Sequence, residues 1–429
     1  MKQRRDRLRG YEPVKRLVYI FMNLYMRKPI KWALGFIPEN IDVIPKQGPG
    51  ILVANHVHLM DPIWIFDSLK RPVYWVATEE LFRKRLLGWF IRTFGAFPKR
   101  KAAQDNKTFR SMIKALGNGD IIGIYPEGVR TWDGTNAPLI PTIARLIRRF
   151  KVPVFACRVY GGYLAKPRWA ARSRRIRPRL LFSQLYGPDT IPDSEEKILQ
   201  DIGRAIATPD YHLKAEELGG RHWGLAEGVE KVLYRCPHCE SLESLSPVKP
   251  VHTNLVECDT CKSRWRVDIT SRLTPVGQSG RPTGAAETVA ELYARIKTMP
   301  LRPIRSSLIT LDPEEELYLV SRTHLMYRQR RFPRLRLFGL GRAFLTNRRF
   351  IFRGRLKGKG RIRLSASLEE MESLSIEPGD KLHFVYRGLL YRLPFQRESA
   401  LKWMDSLERL KSQQALAAAE LPRAAGAAR

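Results

Sequence analysis

The sequence predicts an α/β domain with a mostly parallel sheet, a small metal-clipped segment, and a C-terminal antiparallel β domain capped by a helix. Three observations predict this. From Ile41 to about Ala215, short apolar runs alternate with helical patterns, the signature of strands joined by helical crossovers. Two Cys-x-x-Cys pairs follow, separated by 18 residues. From about Leu308 the pattern changes to alternating strands and turns, closed by an amphipathic stretch, Ser399 to Leu410.

The chain has 429 residues, enough for two or three domains, and 44% of them are hydrophobic. Formal net charge is +34, which implies a polyanionic partner: nucleic acid, an anionic membrane, or both. No run of about 18 or more apolar residues occurs, so the sequence does not predict a transmembrane helix. The start is charged and lacks the apolar core of a secretory signal. Of five cysteines, four form the two pairs, a usage that fits metal in a reducing compartment better than disulfides.

Residues 1–36 read as basic amphipathic helices. Lys2, Arg4, Arg5, Arg7 and Arg9 precede Val14, Leu17, Val18, Phe21, Leu24 and Tyr25 at helical spacing. Such a start suits a helix lying on an anionic membrane, and equally a helix docking on its own domain. Residues 37–227 hold the α/β domain. Its expected strands are Gly50 to Val53, Pro72 to Val76, Ile121 to Tyr125, Val152 to Val159 and Arg179 to Leu185. Helical patterns lie at Glu79 to Phe94, Lys107 to Leu116 and Pro141 to Phe150.

At the end of the first of these runs, His56 and Asp61 stand five residues apart. A carboxylate at that spacing can fix one ring nitrogen and leave the other to accept a proton. By itself the pair is weak, since any two residues recur at a given spacing. Three later stretches add to it: Gly95-Ala96-Phe97-Pro98-Lys99-Arg100-Lys101, Tyr125-Pro126-Glu127-Gly128-Val129-Arg130-Thr131, and Val152-Pro153-Val154-Phe155-Ala156-Cys157.

In this order, the four stretches resemble the four blocks of the glycerolipid acyltransferase family, of the lysophosphatidic acid acyltransferase type. The resemblance covers roughly the first half of the chain. His58 stands where that family has Ser, Lys101 where the second block has Arg, Tyr125 for Phe and Thr131 for Ser, and Ala156-Cys157 replaces a Pro-Val. The resemblance implies transfer of a fatty acyl chain from acyl-CoA or an acyl carrier protein to a lysophospholipid hydroxyl. The expected acceptor is 1-acyl-sn-glycerol-3-phosphate. His56 would be the base and Asp61 its orienting acid. Lys101, Arg100, Glu127, Gly128, Arg130 and Thr131 would bind the acceptor, with Arg130 gripping its phosphate. Glu127 would either orient the acceptor hydroxyl or pair with Arg130 and hold the loop. The nucleophile would be the substrate's hydroxyl, so no acyl-enzyme is needed. Cys157, in an apolar strand, reads as core, and His58 as structural.

Residues 228–270 read as a zinc ribbon, with Cys236, Cys239, Cys258 and Cys261 as ligands to a structural zinc. The ribbon is expected to be a metal staple rather than a partner-binding module, and four thiolates leave no position for His238 or His252. Residues 271–304 read as a linker and short helix. Residues 305–411 read as the antiparallel domain, with one hairpin bending at Thr346-Asn347 and another at Arg387-Gly388. Its Gly341 to Phe352 stretch resembles a pleckstrin-homology-like or GRAM-type domain. Dense cations from Arg328 to Lys359 fit an anionic lipid surface, or the general solvation of a basic protein. Residues 412–429 read as a frayed or disordered tail.

Three functions compete. A peripheral acyltransferase on the cytoplasmic face of a membrane accounts for the four blocks and for the charge. A nucleic-acid-binding protein accounts for the charge and the ribbon but leaves the blocks unexplained. An idle lipid-binding adaptor accounts for the C-terminal domain alone. The expected partners are therefore the acyl donor, a lysophospholipid and an anionic membrane surface, not nucleic acid.

Overall fold

The structure is a computed structural model that describes residues 35–69, 71–78, 82, 88–89, 91, 96–99, 106–208, 210–218, 222–331, 334–377, 380–395 and 398–426. The expected helices of residues 1–34, most of the Glu79 to Phe94 pattern, and the cations Arg100 and Lys101 lie outside the described residues. Contacts divide the chain into two compact units. The first is Met1–Glu227, Pro247–Val256 and Trp265–Ala290; the second is Gly228–Ser246, Glu257–Arg264 and Glu291–Arg429.

The first unit is built on a seven-stranded sheet of order β1-β7-β6-β2-β5-β3-β4. The strands are β1 (Ile37–Glu39), β2 (Gly50–Ala54), β3 (Val73–Thr78), β4 (Phe97–Lys99), β5 (Ile121–Ile124), β6 (Val154–Tyr160) and β7 (Arg179–Tyr186). Every neighbouring pair is parallel except β6–β7, which is antiparallel. The connection over residues 161–178 returns the chain antiparallel beside β6.

Strand β2 is central and buried throughout, which explains its unbroken apolar run. Its side chains alternate between two cores. Leu52 and Ala54 pack with Trp64 and Ile65 of helix α1 (Asp61–Leu69) on one face. Ile51 and Val53 pack on the other face, against α2 (Asn106–Gly117), α3 (Thr142–Phe150) and α4 (Glu195–Ala205). Each fully buried aliphatic side chain here contributes about 2 kcal/mol. Helix α4 begins at Ser194, whose hydroxyl accepts from Lys197 N–H at 3.1 Å, as a Ser-Glu-Glu start predicts.

The second unit holds an eight-stranded antiparallel sheet. Its strands are β8 (Leu317–Val320), β9 (His324–Arg331), β10 (Arg334–Thr346), β11 (Arg349–Leu356), β12 (Gly360–Ser367), β13 (Met371–Glu377), β14 (Lys381–Tyr386) and β15 (Leu389–Pro394). The order is β12-β11-β10-β9-β15-β14-β13, with β8 pairing β10. Both expected hairpins form. In the β14–β15 turn Arg387 and Gly388 both have positive φ, 49° and 69°, the backbone of a two-residue turn that matches strand twist. The closing helix, α5 (Ala400–Gly426), runs beyond Leu410 through the Ala-rich stretch expected to fray. Its inner face buries Leu401, Trp403, Leu407 and Leu410.

Candidate active site

Strands β2 and β5 are parallel neighbours in register, Val53 opposite Ile124. The loops leaving their carboxyl ends therefore meet, at the edge of a parallel sheet where ligand sites form. The first loop carries His56 to Asp61, the second Tyr125 to Thr131.

His56 Nδ1 lies 3.1 Å from Asp61 Oδ2. The same oxygen accepts from Val57 N–H at 2.9 Å and His58 N–H at 2.8 Å. Asp61 is wholly buried in the first turn of α1, where the helix field favours a carboxylate. An acceptor-only Oδ2 makes Nδ1 the donor and leaves Nε2 as the basic nitrogen. The His56 side chain keeps 23% exposure, so a substrate can reach it. Its ring stacks on Tyr125 at 4.1 Å between centroids, and Tyr125 stacks in turn on Trp75 at 4.4 Å. Packing and hydrogen bonding thus fix the imidazole together.

The second loop clamps the His56 backbone on both sides. Thr131 N–H donates to His56 O at 3.1 Å, and His56 N–H donates to Glu127 Oε1 at 3.4 Å. Glu127 is buried and also accepts from Asn136 Nδ2 at 3.1 Å and Ala137 N–H at 2.8 Å. Burial raises its pKa, and these three donors partly offset the rise. These hydrogen bonds tie the Glu127 carboxylate to both loops. Thr131 is buried too. Its hydroxyl donates to Asp133 Oδ1 at 3.1 Å and accepts from Gly134 N–H at 3.0 Å, a local turn. Gly128, at φ 66°, makes the preceding turn, and a Cβ there would meet Ile140 at 2.7 Å. Glu127, Gly128 and Thr131, three of the residues expected to bind the acceptor, thus also shape the second loop. Arg130 is half-buried, and its backbone oxygen accepts from Arg168 Nη1 at 3.0 Å.

His58 is buried and stacked on Trp64 at 4.5 Å. Its Nδ1 accepts from Met60 N–H at 3.0 Å. Its pKa is lowered to about 4, chiefly by burial; Asp61 opposes this, and the charges of Arg130 and Lys166 add to it. His58 is thus a neutral turn-former, in keeping with the structural role expected of it. Cys157 is fully buried and burial drives its thiol pKa up, so it is core rather than nucleophile.

Sequence reading missed two residues that shape this site. Asn55 pairs with the β6 backbone, donating to Val159 O at 2.7 Å and accepting from Val159 N–H at 2.8 Å. It continues the sheet ladder by side chain where β2 ends and so sets where His56 leaves the sheet. Asn136 ties the second loop to Thr208 N–H and Ile206 O, at 2.7 and 3.2 Å. Asn55's place next to His56 was a signal; nothing local singles out Asn136.

In the second unit, the Sγ atoms of Cys236, Cys239, Cys258 and Cys261 lie within 4.8 Å of one another. Cys236–Cys261 and Cys239–Cys258 are each 3.7 Å apart. A tetrahedral zinc with Zn–S bonds of about 2.3 Å has S–S edges of about 3.8 Å, so the donor set fits. Backbone N–H groups of His238, Cys239 and Cys261 point at the sulfurs at 3.4 to 3.5 Å. His238 instead faces Ser263 Oγ, at 3.3 Å.

Residues 36–160, which contain His56, Asp61, Glu127 and Arg130, match the family model described as Acyltransferase. The chain is 25% identical over 123 residues to the 1-acyl-sn-glycerol-3-phosphate acyltransferase of Bacillus subtilis (strain 168), covering 28% of this chain and 61% of that protein. It is 34% identical over 95 residues to the Streptococcus pneumoniae (strain ATCC BAA-255 / R6) protein of that name, covering 21% of this chain and 36% of that one. The chain thus spans about three fifths or less of these relatives' length. Among solved structures it is similar to the LPA acyltransferase PlsC from Thermotoga maritima, at 23% identity and a TM-score of 0.39, over 45% of this chain and 78% of that one. No described helix is long and apolar enough to cross a membrane.

Proposed function

We propose that the chain transfers a fatty acyl group from a thioester, acyl-CoA or acyl carrier protein, to the free hydroxyl of a lysophospholipid, most simply 1-acyl-sn-glycerol-3-phosphate. The observation that carries this is the His56–Asp61 pair: a buried, triply engaged carboxylate behind an imidazole with its far side accessible. The named relatives and the family match support the same chemistry.

In the step, His56 Nε2 takes the acceptor hydroxyl's proton as the oxygen attacks the thioester carbonyl. The tetrahedral intermediate collapses, the C–S bond breaks, and the imidazolium returns the proton to the leaving thiolate. Asp61 stabilises the imidazolium without taking its proton. Arg130, with Lys101 and Arg100, would hold the acceptor phosphate. Glu127 and Thr131 act through position, since a base displaced by about 1 Å loses much of its effect. The four cysteines would hold a structural zinc that staples its segment. The protein would work at the cytoplasmic face of a membrane as a peripheral enzyme.

The test is acyl transfer to lysophosphatidic acid by the whole chain, with labelled acyl-CoA and acyl carrier protein as alternative donors. Diacyl product from wild type, with a loss of about 10²- to 10⁴-fold in His56→Ala, is expected. No product from wild type with either donor, on several lysolipids, would end the proposal.

A further inference from the structure

The eight-stranded sheet carries two rows in which arginines stand directly opposite arginines. Directly opposed residues of antiparallel strands share a face. Arg342 on β10 opposes Arg353 on β11, which opposes Arg363 on β12. One step along the same face, Leu325 on β9 opposes Leu340, Leu340 opposes Arg355, and Arg355 opposes Arg361. Neighbouring strands lie about 4.8 Å apart, so the backbone positions of directly opposed arginines lie within a Debye length of about 8 Å.

Like charges placed directly opposite destabilise a sheet. Among the described residues, none of these five arginines has an ion-pair partner, whereas arginines used structurally in the same sheet have acids. Arg349 pairs with Asp312 and Glu315, at 2.9 and 2.6 Å, and Arg348 with Glu314 at 2.7 Å. The pKa of Arg353 is lowered by burial and then by Arg363 and Arg349. Beside the arginines, Leu325 and Leu340 are 39% and 50% exposed.

We infer that this face of the second unit docks on an anionic lipid bilayer, the five arginines meeting headgroups and Leu325 and Leu340 entering the boundary below them. Unopposed charge calls for a polyanion, and the apolar pair chooses among polyanions. A bilayer interface accepts both kinds of group. A single-stranded nucleic acid would call for aromatic platforms, and no residue in either row is aromatic. The preference for lipid also rests on the proposed acyl transfer to a lysolipid; the geometry of the face does not.

The experiment is co-sedimentation of the whole chain with phosphatidylserine–phosphatidylcholine vesicles. The triple variant Arg353→Gln/Arg355→Gln/Arg363→Gln should bind about 100-fold more weakly, at about 1 kcal/mol per cation. Arg145→Gln/Arg148→Gln/Arg204→Gln removes equal charge from the first unit and should bind within a few fold of wild type. Leu325→Ser/Leu340→Ser should lose roughly 10-fold on vesicles and nothing on DNA. Both second-unit variants should melt no lower than wild type in the arginine case, since repulsion is removed, and close to it in the leucine case. Equal vesicle binding by the two triple variants overturns the inference. So does a leucine variant that keeps full vesicle binding. Acyl transfer to a short-chain, monomeric lysolipid separates the two proposals: it should be equal in wild type and the Arg353 triple variant, and its absence in wild type tells against the acyltransferase reading alone.

Discussion

Two histidine–carboxylate pairs among the described residues are of similar length and opposite character. In the first unit, His56 and Asp61 meet at 3.1 Å, with side-chain exposures of 23% and 0%. In the second, His324 and Glu398 meet at 2.9 Å, with exposures of 8% and 1%. Asp61 is loaded by two backbone N–H groups that shape a loop, while Glu398 also gathers Lys402 Nζ at 3.4 Å and Trp403 Nε1 at 3.2 Å. His324 is packed edge-on against Phe395, at 5.0 Å. The pair alone therefore does not make a site. What differs is that the His56 imidazole keeps access to solvent at a sheet's carboxyl edge, whereas the His324 imidazole is buried.

The sharpest way to break this comparison is to remove each histidine. His56→Ala should cost activity by about 10²- to 10⁴-fold with little change in melting temperature. His324→Ala should do the reverse, losing about 3 kcal/mol of stability because it leaves a buried carboxylate short of a partner. Denaturant titration of both proteins beside the activity assay checks this. An inactive but fully stable His324→Ala would undo the assignment.

Acid distinguishes the pairs' surroundings next. Glu398 is held near pKa 2; its first cause, burial, raises it, and His324, Lys402 and other donors outweigh that. A depressed carboxyl pKa gives stability present above the unfolded value of about 4.3 and lost as pH falls through about 2. His58 has its pKa lowered to about 4 by burial. The unfolded chain then binds a proton that the folded one refuses. Its contribution is complete above about 6.5 and lost as pH falls to about 4, on the order of 3 kcal/mol. Asp210, pushed up to about 6 by burial, acts in the opposite sense over part of that range. The difference between wild type and His58→Asn across pH 4 to 7 isolates the histidine; parallel curves would show that it does not titrate this way.

A smaller effect tests the loop clamp. Glu127→Gln keeps the side chain's shape but replaces one acceptor oxygen with a donor facing N–H groups. Activity should fall roughly 10-fold with KM for the acceptor little changed. A rise in KM alone would instead place Glu127 on the acceptor. Smallest is the metal: chelation should lower the melting temperature of the wild-type chain, with Cys261→Ser mimicking it. Zinc-independent melting would remove the staple.

Much of the architecture was legible because strands β2, β5 and β6 are buried along most of their length and so read as apolar runs. The direction of β7 was not legible, since local pattern carries no information on which neighbour a strand runs against. The three-residue strands β1 and β4 are too short to show periodicity. Helix α1 was hidden because Asp61 and Pro62 look like the end of a motif and are in fact the first turn of a helix. At the site, His56 and Asp61 were legible because they are close in sequence. The clamp was not. Glu127 reaches His56 across 71 residues and Asn55 reaches Val159 across 104, distances that only the parallel sheet closes.

The most direct measurement is the rate of acyl transfer to lysophosphatidic acid by wild type, His56→Ala, Asp61→Asn and His324→Ala, each first shown to be folded. The account predicts product from wild type, losses of at least about 10²-fold in the first two variants, and near-normal turnover by whatever His324→Ala remains folded. Full activity in folded His56→Ala would contradict it.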